Sequence, residues 1–177
     1  MKKLTLMIAA AIACTAICFE AVAEVSSAAA NGFDVRETAH IAAPPDKVFA
    51  ALLVPARWWN SEHTFSGSAA NLVLDARAGG CFCENLPGGG SVEHLIVVFV
   101  APGKTLRLRG ALGPFQGLAV DGAMTWSVKS TGGGTDLSLT YSVGGYVKNG
   151  FDELAKAADE VLGDQVVRLK KSLEPAT

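Results

Sequence analysis

Clusters of basic side chains do not occur in this 177-residue chain, which carries 15 lysines and arginines against 17 aspartates and glutamates. Binding to nucleic acid needs several cations on one face to neutralise phosphates, so the weakly acidic balance argues against a nucleic-acid partner. Glycine-rich stretches are present, but none has the strand-to-helix context of a phosphate-binding loop or a nucleotide fingerprint. The sequence also has no Ser-His-Asp order and no internal repeats.

The N-terminal region has the three-part pattern of a secretory signal peptide. Residues 1–3 form a short basic start, residues 4–19 are apolar, and Ala21 and Ala23 occupy the two positions that a signal peptidase reads. The apolar run is shorter than the ~20 residues that span a bilayer. We therefore expect cleavage after Ala23, no stable membrane insertion afterwards, and a protein that is periplasmic or secreted.

The remaining chain has the size of one domain. Removing 23 of the 177 residues leaves 154, which is long enough for one hydrophobic core. Residues 24–32 are rich in alanine and serine without apolar periodicity, and this composition predicts a flexible tether. Residues 33–174 are then expected to form the domain.

The order of local patterns in the domain predicts an α+β protein. A strand at residues 33–41 precedes a helix that opens at Pro44-Pro45 and a polar loop or short helix around Trp58 and Trp59. Six more strands, separated by hairpin-sized breaks, are predicted at residues 72–76, 80–86, 91–100, 105–110, 119–129 and 135–143. Residues 151–173 carry a helical apolar stripe. We expect a curved antiparallel sheet of about seven strands around this long helix, with two short helices after the first strand.

Four stretches in this order resemble the helix-grip superfamily, often called SRPBCC, which includes START domains, Bet v 1-like proteins and polyketide cyclases. They are IAAPPDKVFAAL, ARWW, RAGGCFCE and GGTDLSLTYSV. Within the superfamily, the branch of the activator of heat-shock-protein-90 ATPase looks most similar. The resemblance runs from about Phe33 to Leu173. It implies a cavity between the sheet and the terminal helix, suited to a hydrophobic small molecule or lipid.

Ten side chains are expected to line that cavity. The family pattern implies that Phe82 and Glu84 face it. Trp58, Trp59 and Phe65 lie in the region that closes the cavity mouth in proteins of this shape, and we expect one tryptophan in the core and the other on the surface. The others, from inward faces of later strands and the terminal helix, are Met124, Trp126, Leu139, Tyr141 and Leu162, with plain core packing as the alternative for Trp126.

Glu84, His94 and Tyr141 are the candidates for acid/base chemistry. The turn after residue 86 brings Glu84 opposite residues 92–94, and a carboxylate beside an imidazole on an apolar face is a possible general acid/base pair. The alternative is a structural ion pair near the sheet edge, or a His94 that faces solvent. Tyr141 would present its hydroxyl within an apolar wall.

Cys81 and Cys83 are the cysteines that remain after signal cleavage, and they share one face of a predicted strand. Strand neighbours two apart have Cα atoms about 6.6 Å apart, at the upper edge of the ~4.4–6.8 Å range for disulfides. We therefore expect two free thiols on the face opposite the cavity, and a disulfide only if Gly79-Gly80 allows a kink. A metal site would need two more ligands, so no metal and no other cofactor is expected.

Three functions remain open at this point. The leading hypothesis is an exported, non-enzymatic protein that binds a hydrophobic or amphipathic small molecule. The second is a polyketide cyclase- or dehydratase-like enzyme that uses Glu84, His94 or Tyr141, and the third is a stress-related interaction protein without a small ligand. The co-chaperone role does not carry over, because heat-shock protein 90 and ATP are not periplasmic. The sequence does not give an oligomeric state.

Overall fold

The computed structural model describes the backbone of residues 22–174 and the side chains of residues 25–174. Its centre is an eight-stranded antiparallel sheet in the order β1-β2-β8-β7-β6-β5-β4-β3. The strands are β1 (Val22–Ala29), β2 (Gly32–Ile41), β3 (Leu72–Leu74), β4 (Cys81–Asn85), β5 (Ser91–Ala101), β6 (Thr105–Arg109), β7 (Ala119–Thr131) and β8 (Gly134–Tyr146). The helices are α1 (Pro45–Leu52) and α2 (Asp152–Lys171), and α2 packs against β1 and β2. The expected α+β class and helix-grip architecture are confirmed.

Alternation of apolar and polar residues explains why the centre of the sheet buries one face. In β7, Met124, Trp126 and Val128 are buried, and the residues between them are more exposed. The register places Met124 opposite Tyr141 and Trp126 opposite Leu139. Buried side chains of neighbouring strands therefore meet on the same face, where cross-strand pairs stabilise a sheet.

The long helix α2 has the amphipathic pattern that residues 151–173 predict. Its buried side chains, spaced three and four residues apart, include Ala155, Ala158, Leu162, Val166 and Leu169. Acidic residues lie in its first turn and basic residues in its last turn, which suits the helix dipole. Among residues 22–174, no helix is both long and apolar enough to cross a membrane.

The second of the two short helices expected after the first strand is not an α-helix. The first is α1, which starts at Pro45 and buries Val48, Phe49 and Leu52. The chain after it forms separate 3₁₀ turns at Pro55–Arg57 and Ser61–His63. Trp59 and the turn at His63 are joined by a hydrogen bond, since the indole Nε1–H donates to the His63 carbonyl at 3.0 Å. These short turns bring the neighbouring side chains of Trp58 and Trp59 into the core.

The segment predicted as a flexible tether is part of the sheet, so this prediction was wrong. β1 spans Val22–Ala29 and pairs with β2, with Val25 opposite Val35 and Ala28 opposite Phe33. A strand is held by backbone N–H and C=O groups, which alanine and serine carry like any other residue. An edge strand of small residues therefore forms without an apolar alternation in its sequence. Residues 1–21 of the predicted signal peptide lie outside the described residues.

One carboxyl pair lies in the interface between α2 and the sheet. Glu37 of β2 is 1% exposed, and burial together with the nearby Asp159 of α2 raises the pKa of its carboxyl to about 8. One oxygen of each side chain is buried without a hydrogen-bond partner among the described residues. Glu37 is therefore protonated at neutral pH beneath the helix.

Candidate functional site

A cavity of about 260 Å³ lies beside α2 on the buried side of the sheet. Its wall comes from α2, from the segment between β6 and β7, from residues 59–65, and from β4, β5 and β8. Most of the wall is apolar. Its volume is near the lower end of the range of about 300–1,000 Å³ for small-molecule pockets.

Half of the ten residues expected at the cavity are in its wall. They are Trp59, Phe65, Phe82, Tyr141 and Leu162. Glu84 lies behind the wall, where its carboxylate contacts His94. Leu139 is fully buried in the core and borders neither this cavity nor the smaller one described next.

Trp58, Met124 and Trp126 border a second, much smaller cavity of about 20 Å³. Trp59 and Phe82 line both cavities and so form the partition between them. Trp58 and Trp59 are both buried, so the expectation that one of them lies on the surface was wrong. The reason is that each indole N–H has a backbone acceptor inside the fold, Ala51 for Trp58 and His63 for Trp59.

A β-bulge in β5 turns His94 inward. Phe82 of β4 pairs with Leu95 and Cys83 pairs with Glu93, which leaves His94 as the extra residue. His94 and Leu95 are consequently both buried, although adjacent residues of a regular strand point to opposite faces. The register places Val92 opposite Glu84, so His94 reaches this carboxylate diagonally.

Glu84 is fully buried and has three hydrogen-bond donors. His94 Nε2 lies 3.0 Å from its Oε2, the backbone N–H of Phe65 donates to the same oxygen at 3.1 Å, and the backbone N–H of Ser66 donates to Oε1. Burial by itself raises the pKa of this carboxyl, but the hydrogen bonds from Ser66, Phe65 and His94 outweigh burial and lower the pKa below its ordinary value. Glu84 is therefore ionised at neutral pH.

His94 is held as a neutral imidazole. Burial lowers the pKa of the ring, and the charge of Glu84 offsets this only in part. An ionised carboxylate can only accept, so Nε2 carries the proton and Nδ1 carries a lone pair. Nδ1 is buried and has no partner in the described part of the chain. The ring is stacked with Phe65 at a centroid separation of 6.0 Å and packs at a tilt against Phe82 at 5.2 Å.

The hydroxyl of Tyr141 is fully engaged with the backbone. It donates to the Gly110 carbonyl at 3.0 Å and accepts from the Leu112 N–H at 2.9 Å. Burial raises the pKa of this phenol to about 12. Tyr141 thus fixes the start of the segment between β6 and β7, and its proton is not free for acid/base work.

Cys81 and Cys83 form a disulfide, so the expectation of two free thiols was wrong. Their Cα atoms are 5.4 Å apart, well within the disulfide range, because this part of β4 pairs with the β5 bulge and departs from regular strand geometry. The alternation itself is as expected, with Phe82 and Glu84 buried and the two cysteines less so. Within residues 25–174, no group of three or more His, Cys, Asp or Glu side chains is placed to hold a metal ion.

Sequence reasoning missed the part of the wall that comes from the segment between β6 and β7, and of the α2 side chains in the wall it named Leu162 alone. The side chains that it missed include Leu112, Phe115, Ala158 and Val161. Phe115 packs edge-on against Phe33 with centroids 6.0 Å apart. The helical stripe indicated that α2 faces the sheet, but no local pattern in a glycine-rich loop shows where its apolar side chains fold back.

An antiparallel sheet packed against a long terminal helix, with a cavity between them, defines a helix-grip protein. A model of the family described as "Polyketide cyclase / dehydrase and lipid transport" matches residues 32–174. The chain belongs to this family, which lies within the superfamily that its sequence resembles. No curated protein matches the chain. The narrower likeness to the activator of heat-shock-protein-90 ATPase stays a prediction.

Solved structures similar to this chain share its fold at low sequence identity. Protein MLL2253 from Mesorhizobium loti has a TM-score of 0.60 and 21% identity, over 81% of this chain and 98% of its own. Protein CV1439 from Chromobacterium violaceum has a TM-score of 0.58 and 22% identity, over 81% and 98%. CalU16 from Micromonospora echinospora has a TM-score of 0.55 and 17% identity, over 88% and 86%. At these identities the likeness supports the fold alone.

Proposed function

We propose that this protein binds a hydrophobic or amphipathic small molecule in the cavity between the sheet and α2. The observation that carries the proposal is the 260 Å³ cavity itself, because a filled interior would have favoured an interaction protein without a ligand. Membership of a family whose description includes lipid transport supports the same function.

We also propose that the protein acts after export. The support is the N-terminal pattern of a basic start, an apolar run and Ala21-Val22-Ala23. A disulfide between Cys81 and Cys83 suits this location, since such bonds persist in oxidising compartments.

The second candidate function is that of a cyclase- or dehydratase-like enzyme. The Glu84–His94 pair favours it, because a neutral imidazole oriented by a carboxylate is a competent general base at neutral pH. The description of the family includes polyketide cyclases and dehydrases. Tyr141 is a weaker candidate than this pair because both hydrogen-bonding capacities of its hydroxyl are used.

Ligand binding is tested by titrating the protein with the neutral fluorescent probe N-phenyl-1-naphthylamine. We expect saturable enhancement with the wild-type protein and at least a tenfold weaker response with Ala158→Leu, since Ala158 is buried in the cavity wall. Ala50→Leu makes the same change on the exposed side of α1 and should bind like the wild type. Equal binding by the wild type and Ala158→Leu, with both folded by circular dichroism, would place the probe elsewhere and contradict the proposal.

A further inference from the structure

The buried polar groups of the cavity wall have their partners inside the protein. The hydroxyl of Tyr141 both donates to and accepts from the backbone, and Nε2 of His94 donates to Glu84. Nδ1 of His94 is shielded from solvent as well. The deep part of the cavity therefore offers a ligand no polar group with a free bonding capacity, and it suits an apolar body. A polar head group of the ligand belongs at the exposed side of the cavity.

That exposed side carries a free carboxylate. Glu62 is exposed, lies in the cavity wall, and belongs to the 3₁₀ turn Ser61–His63. Its backbone N–H donates to the side chain of Asn60 at 3.1 Å, which fixes the turn. Among residues 25–174 this N–H is the only group of Glu62 that makes a hydrogen bond, and the side chain has no ion-pair partner there. The carboxylate is therefore available to a ligand.

No positive charge in the described part of the chain competes for this place. The cavity wall contains no lysine and no arginine. Lys156 and Arg168 are the cations of α2 on either side of the wall residues, and each already has a partner on the helix. Lys156 Nζ lies 2.9 Å from Glu153, and Arg168 Nε lies 2.9 Å from Asp164. An anionic head group would thus meet a carboxylate without a compensating cation.

The apolar part of the wall is rich in aromatic rings. Five aromatic side chains line the cavity: Trp59, Phe65, Phe82, Phe115 and Tyr141. The face of an aromatic ring carries partial negative charge and attracts organic cations, especially ammonium groups with alkyl substituents. Phe65 is 55% exposed and is three residues from Glu62, at the side where a head group would lie. Rings and carboxylate therefore favour the same sign of charge on a ligand.

We propose that the ligand of this cavity is an amphipathic organic cation, with its apolar body inside and its ammonium group at the exposed side near Glu62. This inference rests on the proposed binding function and names the chemical class of the ligand. Glu62 is the specificity-determining residue. An ammonium group at this exposed position keeps part of its water, so it avoids the large cost of burying a charge.

Three probes that share a naphthylmethyl body and differ in the charge of the head group test the inference. They are (1-naphthylmethyl)trimethylammonium, its neutral isostere 1-neopentylnaphthalene, and the anion 1-naphthylacetate. The volume of about 260 Å³ suits this body of two fused rings. Dissociation constants are measured at neutral pH by displacement of N-phenyl-1-naphthylamine. The variants are Glu62→Gln, which removes the charge and keeps the size, and Glu93→Gln, which removes an exposed carboxylate that is not in the wall.

Relative to the isostere, the ammonium probe should lose about threefold in affinity on going from the wild type to Glu62→Gln, as expected for one exposed charge pair. It should lose nothing on going to Glu93→Gln. Comparing this ratio between proteins cancels general effects of the substitution on the fold and on the apolar body. We also expect 1-naphthylacetate to bind the wild type at least fivefold more weakly than the ammonium probe. Raising the salt concentration to about 0.5 M should reduce the ratio in the wild type and leave it unchanged in Glu62→Gln.

If the neutral isostere binds but the ratio is the same in the wild type and in Glu62→Gln, the inference of a cationic ligand is overturned and the binding function stands. Tighter binding of 1-naphthylacetate than of the ammonium probe also overturns it, as does an equal loss in Glu93→Gln. If neither N-phenyl-1-naphthylamine nor any of the three probes binds the wild type, the inference and the binding function both fail.

Discussion

Glu37 is a carboxylic acid that the fold keeps protonated. Its pKa is raised from 4.5 to about 8 by burial and by Asp159, which sits across the interface on α2. The folded protein holds this proton between pH 4.5 and 8, and the unfolded chain releases it. Stability from this group is therefore complete below about pH 4.5, falls progressively above it, and is fully lost once the pH has risen through 8.

Glu37→Gln should remove this pH dependence, because an amide does not titrate. We expect the free energy of unfolding of the wild type to lose up to about 1.4 kcal/mol per pH unit between pH 4.5 and 8 relative to the variant. Urea unfolding at a series of pH values measures the difference. Glu160→Gln, on an exposed side of the same helix, is the control. Parallel pH profiles of wild type and Glu37→Gln would show that Glu37 is not protonated in the folded state.

At the scale of single residues, the sequence predicts only part of the site. Strand alternation places Phe82 and Glu84 on one face of β4, and the resemblance to the family implies that this face is the inward one. The inward position of His94 does not follow, because it depends on an extra residue in β5 that pairing with β4 reveals. After His94 the strand reads LIVVFVA and is apolar at every position, so no alternation marks the bulge.

At the scale of elements, a side chain from β8 holds the start of the segment between β6 and β7 by hydrogen bonds. Tyr141 bridges Gly110 and Leu112 at the start of this segment. Leu112 and Phe115 from the segment then form part of the cavity wall. The shape of this wall is thus set by a hydroxyl group 29 residues away along the chain.

Tyr141→Phe should cost about 1–3 kcal/mol of unfolding free energy, because it leaves a backbone donor and a backbone acceptor without their partner. Hydrogen exchange should quicken at Leu112, and probe binding should weaken. Tyr146→Phe removes a hydroxyl from a 71% exposed ring and is the matched control. If the two variants are equally stable, the hydroxyl of Tyr141 does not hold the segment.

Elements differ in how far their sequence reveals them. β7, β8 and α2 are predictable because long runs with the right period bury one face against many partners. β1 is hidden because an edge strand of alanine and serine needs only a backbone partner. The sequence around Trp58 and Trp59 is compatible with a short helix. In the structure, hydrogen bonds from the two indole N–H groups to backbone carbonyls favour 3₁₀ turns instead.

At the scale of the whole molecule, two hydrogen bonds from Asn60 join the segment that follows Trp58 and Trp59 to α2, and we call this pair of bonds the clasp. The backbone N–H of Asn60 donates to Gln165 Oε1 at 2.8 Å, and the Asn60 side chain donates to Asp164 at 2.8 Å. Gln165 is fully buried. The two sides of the cavity, more than 100 residues apart in sequence, are therefore tied together beside it.

Gln165→Leu should open this clasp, since leucine has no acceptor for the Asn60 N–H. We expect a loss of about 1–3 kcal/mol in unfolding free energy, faster hydrogen exchange at Asn60, and faster release of N-phenyl-1-naphthylamine in stopped-flow fluorescence. Gln116→Leu also removes a glutamine hydrogen bond, but from an exposed side chain, and should leave release unchanged. Unaltered release from Gln165→Leu would mean that the clasp does not control access to the cavity.

The Cys81–Cys83 disulfide has only a small effect on the conformational entropy of the unfolded chain. Its cysteines are two positions apart, so the covalent ring is very small. A disulfide restricts the unfolded chain less as the loop it closes becomes shorter, and this bond adds little to global stability by that route. What it restricts is the backbone of β4 at the place where β5 carries its extra residue. Oxidation of this pair therefore restricts local backbone geometry in β4 more than it decides whether the protein folds.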